Sequence, residues 1–393
     1  MSDVELLTPL RRTKAVIDLG AIEHNLARVR ALIGDRVKVL AVVKADAYGH
    51  GAVTVAHALE RAGADMFGVA TVEEGVELRD AGVRLPILVQ CCTEGAELDA
   101  SLEHGLTLTT TSYEHAQQVS AKASQTGVIA SVHADIDTGM GRIGFSRDTA
   151  AEEIARSGRL PNVDLEGIYT HFATSEIEDD PFTIKQLRRF EKLVKDLSER
   201  GVSVPGVHTA NSGAILNYPE AHLDMVRAGL ILYGVYPDRK LENKADLKPA
   251  LALQTSIVFL KDIPAGTSLG YGRAFVATRP TRVATANVGY ADGYPWRLSN
   301  TASVIVCGTR IPILGRVSMD QLLVDVSSIP DVRLGDTIML IGTNGSESVT
   351  AQDLAEWAGT ISYEILCGIS KRVPREYIGK RDVPFARTGC GRT

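Results

Sequence analysis

Lys44, Arg142, His171 and Arg227 are the residues of this chain whose types and settings offer chemistry. Lys44 follows the apolar run VLAVV, with Asp46 and Tyr48 close behind. An amine at the end of such a run is partly desolvated, so its pKa should fall and its neutral form become available for imine formation with an aldehyde. A lysine that simply reaches solvent at a strand end is the competing reading. Arg142 sits in the glycine-flanked DTGMGRIG, where a guanidinium can approach an anion bidentately or merely decorate a surface loop. His171 ends the run LEGIYTHF and, taken by itself, reads more readily as a satisfied core histidine. GVHTANSG, with Asn211 and Ser212, and VRAGLILYG, with Arg227, Gly229 and Leu230, put small residues beside probable strand ends. Backbone N–H groups exposed at such turns can hold phosphate, although glycine also ends strands for plain turn reasons.

These residues need a scaffold that brings strand ends together. The first ~245 residues alternate short β-branched runs with longer amphipathic stretches, the rhythm of repeated βα units around a parallel sheet. Eight strand-like runs stand out: KVLAVVK, MFGVAT, PILVQ, LTLTT, VIASVHADI, LEGIYTHF, GVHTAN and DMVRAGL. GAVTVAHALERAG and PFTIKQLRRFEKLVKDLSERG carry apolar residues at i, i+3, i+4 and i+7, so both predict helices. Eight strands with interleaved helices is the count of a (β/α)8 TIM-type barrel, with a doubly wound open sheet as the alternative. A barrel of this kind works at the carboxyl ends of its strands, which is where the residues above lie.

After about residue 248 the texture changes. Strand-like runs bounded by glycine and proline dominate, interrupted by one helical pattern, TAQDLAEWAG. The fold class is therefore α/β, a barrel over residues 1–248 followed by a mostly β C-terminal domain over 249–393, joined through KLENKADLKP. A place for the first strand, about 12–19, in the β domain is left open. In that second region YGRAF, VGYADGYPWR and GRVSMDQ offer tyrosines in glycine-rich loops, individually no more than turn-packing aromatics.

The 393 residues are 45% hydrophobic and 23% charged, with a formal net charge of −6. That balance suits a globular chain and carries no basic footprint for nucleic acid. No run approaches the ~18 apolar residues of a membrane span, and no signal-peptide pattern opens the chain, so a cytoplasmic location is expected. Five cysteines, odd in number and without metal-ligand spacing, read as reduced and mostly structural thiols, and no metal site is expected.

Together these segments closely resemble the alanine racemases, fold-type III pyridoxal-phosphate enzymes. The resemblance runs from AVIDLGAIEHNL to YEILCGISKRVPREY. AVVKADAYGHG is its most specific part; DTGMGRIG, THFATS, HTANSGAIL, VRAGLILYG, GYGRAF, VGYADGYPWRLS and GRVSMDQ follow in family order. The resemblance implies that Lys44 carries pyridoxal 5'-phosphate covalently. It implies that Tyr48, Ser212, Gly229, Leu230 and Tyr363 surround the phosphate, that Arg227 faces the pyridine nitrogen, and that His171 and Asn211 line the ring. Arg142 would reach the cofactor phenolate and the substrate carboxylate. Tyr271 would be the second catalytic base, Tyr290 a residue of the substrate path, and Met319 with Asp320 the wall beside the carboxylate. Two positions depart from the family's habit: Asp135 stands where a carbamylated lysine is frequent, and Ser318 where cysteine is frequent.

By the same resemblance the enzyme interconverts L- and D-alanine for peptidoglycan synthesis, and a head-to-tail homodimer completes each site with the neighbour's second domain. Racemisation needs a base on each face of a planar intermediate, here Lys44 and Tyr271, with His171 and Arg227 favouring phenolate. A fold-type III amino-acid decarboxylase and a non-catalytic cofactor carrier are the competing readings.

Overall fold

In the computed structural model, which describes residues 12–379, the chain divides into two compact units, Ile22–Lys248 and the remainder on either side of it. In the first unit eight parallel strands close on themselves: Lys38–Val42, Met66–Val69, Ile87–Val89, Thr107–Thr110, Ala130–Asp137, Val163–Tyr169, Gly206–His208 and Met225–Ala228. The last pairs back onto the first, with Met225 opposite Lys38 and Ala228 opposite Ala41. The closed barrel is the expected one, and the open sheet is excluded by that pairing. Most strand residues are buried on both faces because helices cover the outside. Between strands and helices, Ile136, Phe145, Ile154, Ile168 and Phe190 form one buried cluster, each side chain contributing roughly 1.5–3 kcal/mol by leaving water.

The predicted helices form over Ala52–Arg61 and Pro181–Glu199. The second starts at a clear signal: the Asp180 side chain accepts from Thr183 N, and Pro181 fills the first turn, where its missing N–H costs nothing. Ahead of the first lies a segment the hydrophobic pattern did not reveal. Residues 45–48 are all left-handed, with φ between 52° and 55°. No glycine relieves them, and each such residue costs ~1–2 kcal/mol. Hydrogen bonds within and around the turn hold it. Ala47 N donates to Val43 O (2.8 Å), Gly51 N to Asp46 O (2.9 Å) and Ala52 N to the Asp46 carboxylate (2.8 Å). Glu74, already the capping-box partner of Thr71, accepts from Ala45 N at 2.7 Å.

In the other unit, six antiparallel strands close a second ring: Leu251–Ile263, Thr281–Ala286, Leu322–Asp325, Thr309–Leu314, Ser303–Val306 and Thr337–Asn344. Bulges in the 13-residue strand Leu251–Ile263 let it pair with different neighbours along its length. Lys14–Asp18 adds to the same sheet, antiparallel to Leu251–Ile263 and parallel to Arg375–Ile378. Helix Ala351–Ala358 is the one the sequence predicts, and a short second helix, Ser362–Cys367, follows it. Cys91, Cys92 and Cys367 are exposed rather than structural, and Cys390 lies outside the described residues. Among the described residues no helix is long and apolar enough to cross a membrane, and no side-chain group is arranged to hold a metal.

Candidate active site

The barrel strands deliver the first constellation at their carboxyl ends. Lys44 is half-buried immediately beyond the first strand. The left-handed turn then carries Tyr48 inward, where its ring lies 5.0 Å from that of Tyr233; the Tyr233 hydroxyl donates to Val42 O at 2.8 Å. Tyr48 meets the end of the eighth strand at Gly229. A Cβ placed on Gly229 would stand 2.7 Å from the Tyr48 hydroxyl and 3.7 Å from the Ser212 hydroxyl. Gly229 N donates to that Ser212 oxygen at 3.1 Å. Only glycine leaves this space, and what surrounds it are hydroxyls and a backbone amide, the donors a phosphate group requires. Leu230 is buried at the start of the next turn. Asn211 caps the short helix that opens at Ser212, accepting from Ala214 N at 3.1 Å and from the Ser175 hydroxyl at 2.6 Å. Its role in the fold is therefore a cap.

Arg227 is the electrostatic centre. Its residue is only 2% exposed. Nη1 donates to His208 Nδ1 (2.9 Å) and His208 O (3.2 Å); Nη2 donates to Thr170 O (2.7 Å), Thr209 O (2.9 Å) and His171 Nδ1 (3.3 Å). Three backbone carbonyls and two ring nitrogens hold the cation, whose pKa burial lowers to about 10, so it stays charged at neutral pH. Nε–H is the remaining guanidinium donor, with no acceptor among the described residues. A guanidinium only donates, so His171 must accept at Nδ1 and carry its proton on Nε2. Burial, with repulsion from Arg227, Arg142 and Lys44, brings His171 down to about 3, so the ring is neutral. His171 is half-buried. Gln186 fixes its backbone, donating to His171 O and accepting from Ala173 N, both at 3.0 Å.

Arg142 is exposed on a loop shaped by Asp137, whose carboxylate accepts from Gly139 N and Gly141 N at 2.9 and 3.0 Å. The loop turns at Gly144, where φ is +122° and a Cβ would lie 2.7 Å from Asp137 N. Asp135 is buried on the strand leading to that loop. Burial raises its pKa to about 7 against the pull of Arg227 and Arg142. Asp135 therefore supplies a carboxyl group close to both arginines.

The second constellation belongs to the β unit. Tyr271 is 71% exposed on a turn entered through Gly270 (φ +70°), beside Arg316, whose guanidinium carbon lies 5.6 Å from the Trp296 ring centroid. Tyr290 and Met319, both exposed, are drawn together by backbone bonds: Tyr290 N to Ser318 O (3.1 Å) and Ala291 N to Met319 O (3.0 Å). Gly289 permits that approach, since a Cβ there would meet Ser318 O at 2.2 Å. Asp320 pairs with Arg372 at 2.8 Å, and Arg372 also reaches the buried Asp292 at 3.5 Å. Tyr363, half-buried, projects from the helix Ser362–Cys367, whose following residue Gly368 abuts Gly293 at the end of the Tyr290 turn.

Reading residues by type missed His208 and Tyr169, whose stacked rings (centroids 4.9 Å apart) underlie Arg227. It also missed Gln186 and Glu74. The signal for His208 is present in GVHTAN, three residues before Asn211. Gln186 and Glu74 sit on helices whose amphipathic pattern gives no hint of a site.

Family models match both parts of the chain: the alanine racemase N-terminal domain over residues 17–237 and the alanine racemase C-terminal domain over 250–377. The chain is 44% identical over 370 residues to an alanine racemase of Halothermothrix orenii, covering 94% of this chain and 98% of that protein. To alanine racemase 2 of Caldanaerobacter subterraneus it is 43% identical over 375 residues, covering 95% and 97%. Among solved structures, alanine racemase of Clostridium difficile 630 superposes with a TM-score of 0.91 at 38% identity, covering 94% of this chain and 97% of that one. Alanine racemase from Bacillus anthracis, solved with bound L-Ala-P, gives 0.88 at 36% identity, covering 94% and 96%.

Proposed function

The chain belongs to the alanine racemase family, and from that premise we propose that it interconverts L- and D-alanine with pyridoxal 5'-phosphate as cofactor, through two bases, Lys44 and Tyr271. One observation carries the cofactor reading: the gap at Gly229, edged by the Tyr48 and Ser212 hydroxyls, at the end of the strand that bears Arg227. Those residues fit a phosphorylated ring held at its two ends. Ser212, Tyr48, Gly229, Leu230 and Tyr363 would hold the phosphate, Lys44 the aldehyde carbon, and the Arg227 Nε–H the pyridine nitrogen, with His171 and Asn211 along the ring. What the bound cofactor supplies is an electron sink for the charge left when the α-proton departs.

The protein governs where protons go. The Lys44 amine serves one face of the α-carbon and the Tyr271 hydroxyl the other. An ordinary phenol, with a pKa of about 10, is a weak base at neutral pH and needs donors that favour its ionised form. His171 is suited to that task, because Arg227 occupies its Nδ1 and leaves its Nε2–H as the donor. Arg142 would bind the substrate carboxylate, oriented by the Asp135 carboxyl without carbon dioxide chemistry, with Met319 and Asp320 forming the adjoining wall. Tyr290 and Tyr363 leave room for a short side chain. One methylene in such a pocket is worth only ~1–3 kcal/mol, so serine is expected to react slowly rather than not at all. The relative solved with L-Ala-P supports a ligand built on L-alanine.

Tyr271, Tyr290 and Met319 are exposed on the β unit, which supports a head-to-tail homodimer in which that face completes the partner's barrel site. In the cell the product would serve peptidoglycan synthesis in the cytoplasm. The decisive experiment is a chiral assay of purified, cofactor-loaded protein against a panel of L-amino acids. D-alanine should form fastest, with no carbon dioxide released. Carbon dioxide release would instead identify a decarboxylase, and no turnover at all would leave a cofactor carrier.

A further inference from the structure

We propose that His133, which the mechanism above does not use, is a positioning residue that acts through His208 to fix how Arg227 presents its guanidinium. His133 lies on the fifth barrel strand and is buried. Its Nδ1 is 2.9 Å from His208 Nε2, and His208 Nδ1 is 2.9 Å from Arg227 Nη1. The direction of this chain follows from donor count. Arg227 can only donate, so His208 must accept at Nδ1. A neutral ring that accepts at Nδ1 carries its proton on Nε2 and donates from there, so His133 must present a bare Nδ1. His133 is thus the acceptor that completes the one His208 tautomer compatible with a cation on its other side.

The surroundings are built for this ring. A Cβ on Gly167, in the neighbouring strand, would stand 2.5 Å from both Cε1 and Nδ1 of His133, so the imidazole rests directly on bare backbone. Tyr169 stacks on His208 with 17° between the ring planes. The Tyr169 hydroxyl is 3.0 Å from Thr109 Oγ1, which itself donates to Val89 O and therefore accepts from the tyrosine. Both imidazoles are kept neutral, first by burial and then by the charge of Arg227, which holds His133 down to about 4 and His208 well below its ordinary value. Neutral rings are what a tautomer relay requires; a protonated His133 would offer His208 nothing to donate to.

The catalytic consequence rests on the role proposed for Arg227; the tautomers do not. Nitrogen-15 NMR of the histidine rings in the purified enzyme at neutral pH should show His208 and His133 both as the Nε2–H tautomer. His133→Phe removes the acceptor: the His208 Nε2–H loses its partner, so its nitrogen-15 shift should leave the wild-type value, and kcat should fall about tenfold with KM little changed. His133→Asn, whose side-chain oxygen can accept in place of Nδ1, should restore both the His208 shift and most of kcat. An Nδ1–H His208 in the wild-type enzyme overturns the proposal even if His133→Phe fails to fold. So does a His133→Phe protein with an unchanged His208 shift or unchanged kcat, or a His133→Asn protein that resembles the phenylalanine variant. A wild-type enzyme that shows the expected tautomers but forms no D-alanine refutes the racemase reading and leaves the relay standing.

Discussion

Arg227 illustrates how much of the proposed chemistry is decided by single side chains. Its charge is bound by three carbonyls and two imidazoles before any ligand arrives. A group held this tightly and buried this deeply does not hand over its proton, since even the lowered pKa is about 10. A pyridine nitrogen facing it would gain a hydrogen bond but no formal charge, and the ring would be a restrained electron sink. That restraint favours returning the proton to the α-carbon over misplacing it on the cofactor. Arg227→Glu is therefore expected to lower racemisation by about 10²–10³-fold. The same variant should speed the loss of cofactor by half-transamination. The check is to follow absorbance and keto-acid release side by side; an unchanged rate of cofactor loss would contradict the argument.

The elements do work that the residue types alone do not announce. The strands were legible because short β-branched runs recur at βα spacing, and the barrel followed from their number. The mouth residues were legible because barrel chemistry sits at strand ends. What was hidden is local geometry. Four consecutive left-handed residues without glycine contradict backbone preference, and bonds such as that from Ala45 N to the Glu74 carboxylate help hold them. His133, Asp135 and Asp137 alternate along one strand and so share a face, a pattern visible in VHADID but indistinguishable from solvated polarity until the barrel closes over it. Gly229 could be read as a turn residue. Its actual requirement is space, and it gives a clean test. Gly229→Ala places a methyl 2.7 Å from the Tyr48 hydroxyl. Titration of the apo-protein with pyridoxal 5'-phosphate should then show affinity weakened at least about tenfold, ~1.4 kcal/mol, with the barrel still folded. Equal affinity would mean the phosphate lies elsewhere.

At the scale of the whole molecule, the buried cluster behind Arg227 should write itself into the pH dependence of stability. His133, His171 and His208 all have folded pKa values below 6.5, the first two at about 4 and about 3. Their neutral burial contributes stability that is present above pH 6.5 and lost as pH falls toward those folded values. Asp135 acts in the opposite sense: raised from 3.8 to about 7, it contributes stability that is full below pH 3.8 and lost as pH rises through 7. Between about pH 4 and 6.5, three histidines gaining protons on unfolding outweigh one aspartate losing its own, a net uptake of about two. Urea unfolding at fixed protein concentration should give a lower midpoint at pH 5 than at pH 7. A midpoint equal or higher at pH 5 would mean the cluster is not buried in its neutral form.

In the proposed racemase one amine and one phenol, drawn from two copies of the chain, flank the same α-carbon. This arrangement is tested most directly by co-expressing differently tagged Lys44→Ala and Tyr271→Ala subunits and purifying the dimer that carries both tags. In that dimer one site has lost both bases and the other keeps both, so D-alanine formation at about half the wild-type rate per dimer is expected, while each parental homodimer is nearly inactive. A doubly tagged dimer as inactive as its parents would contradict the account.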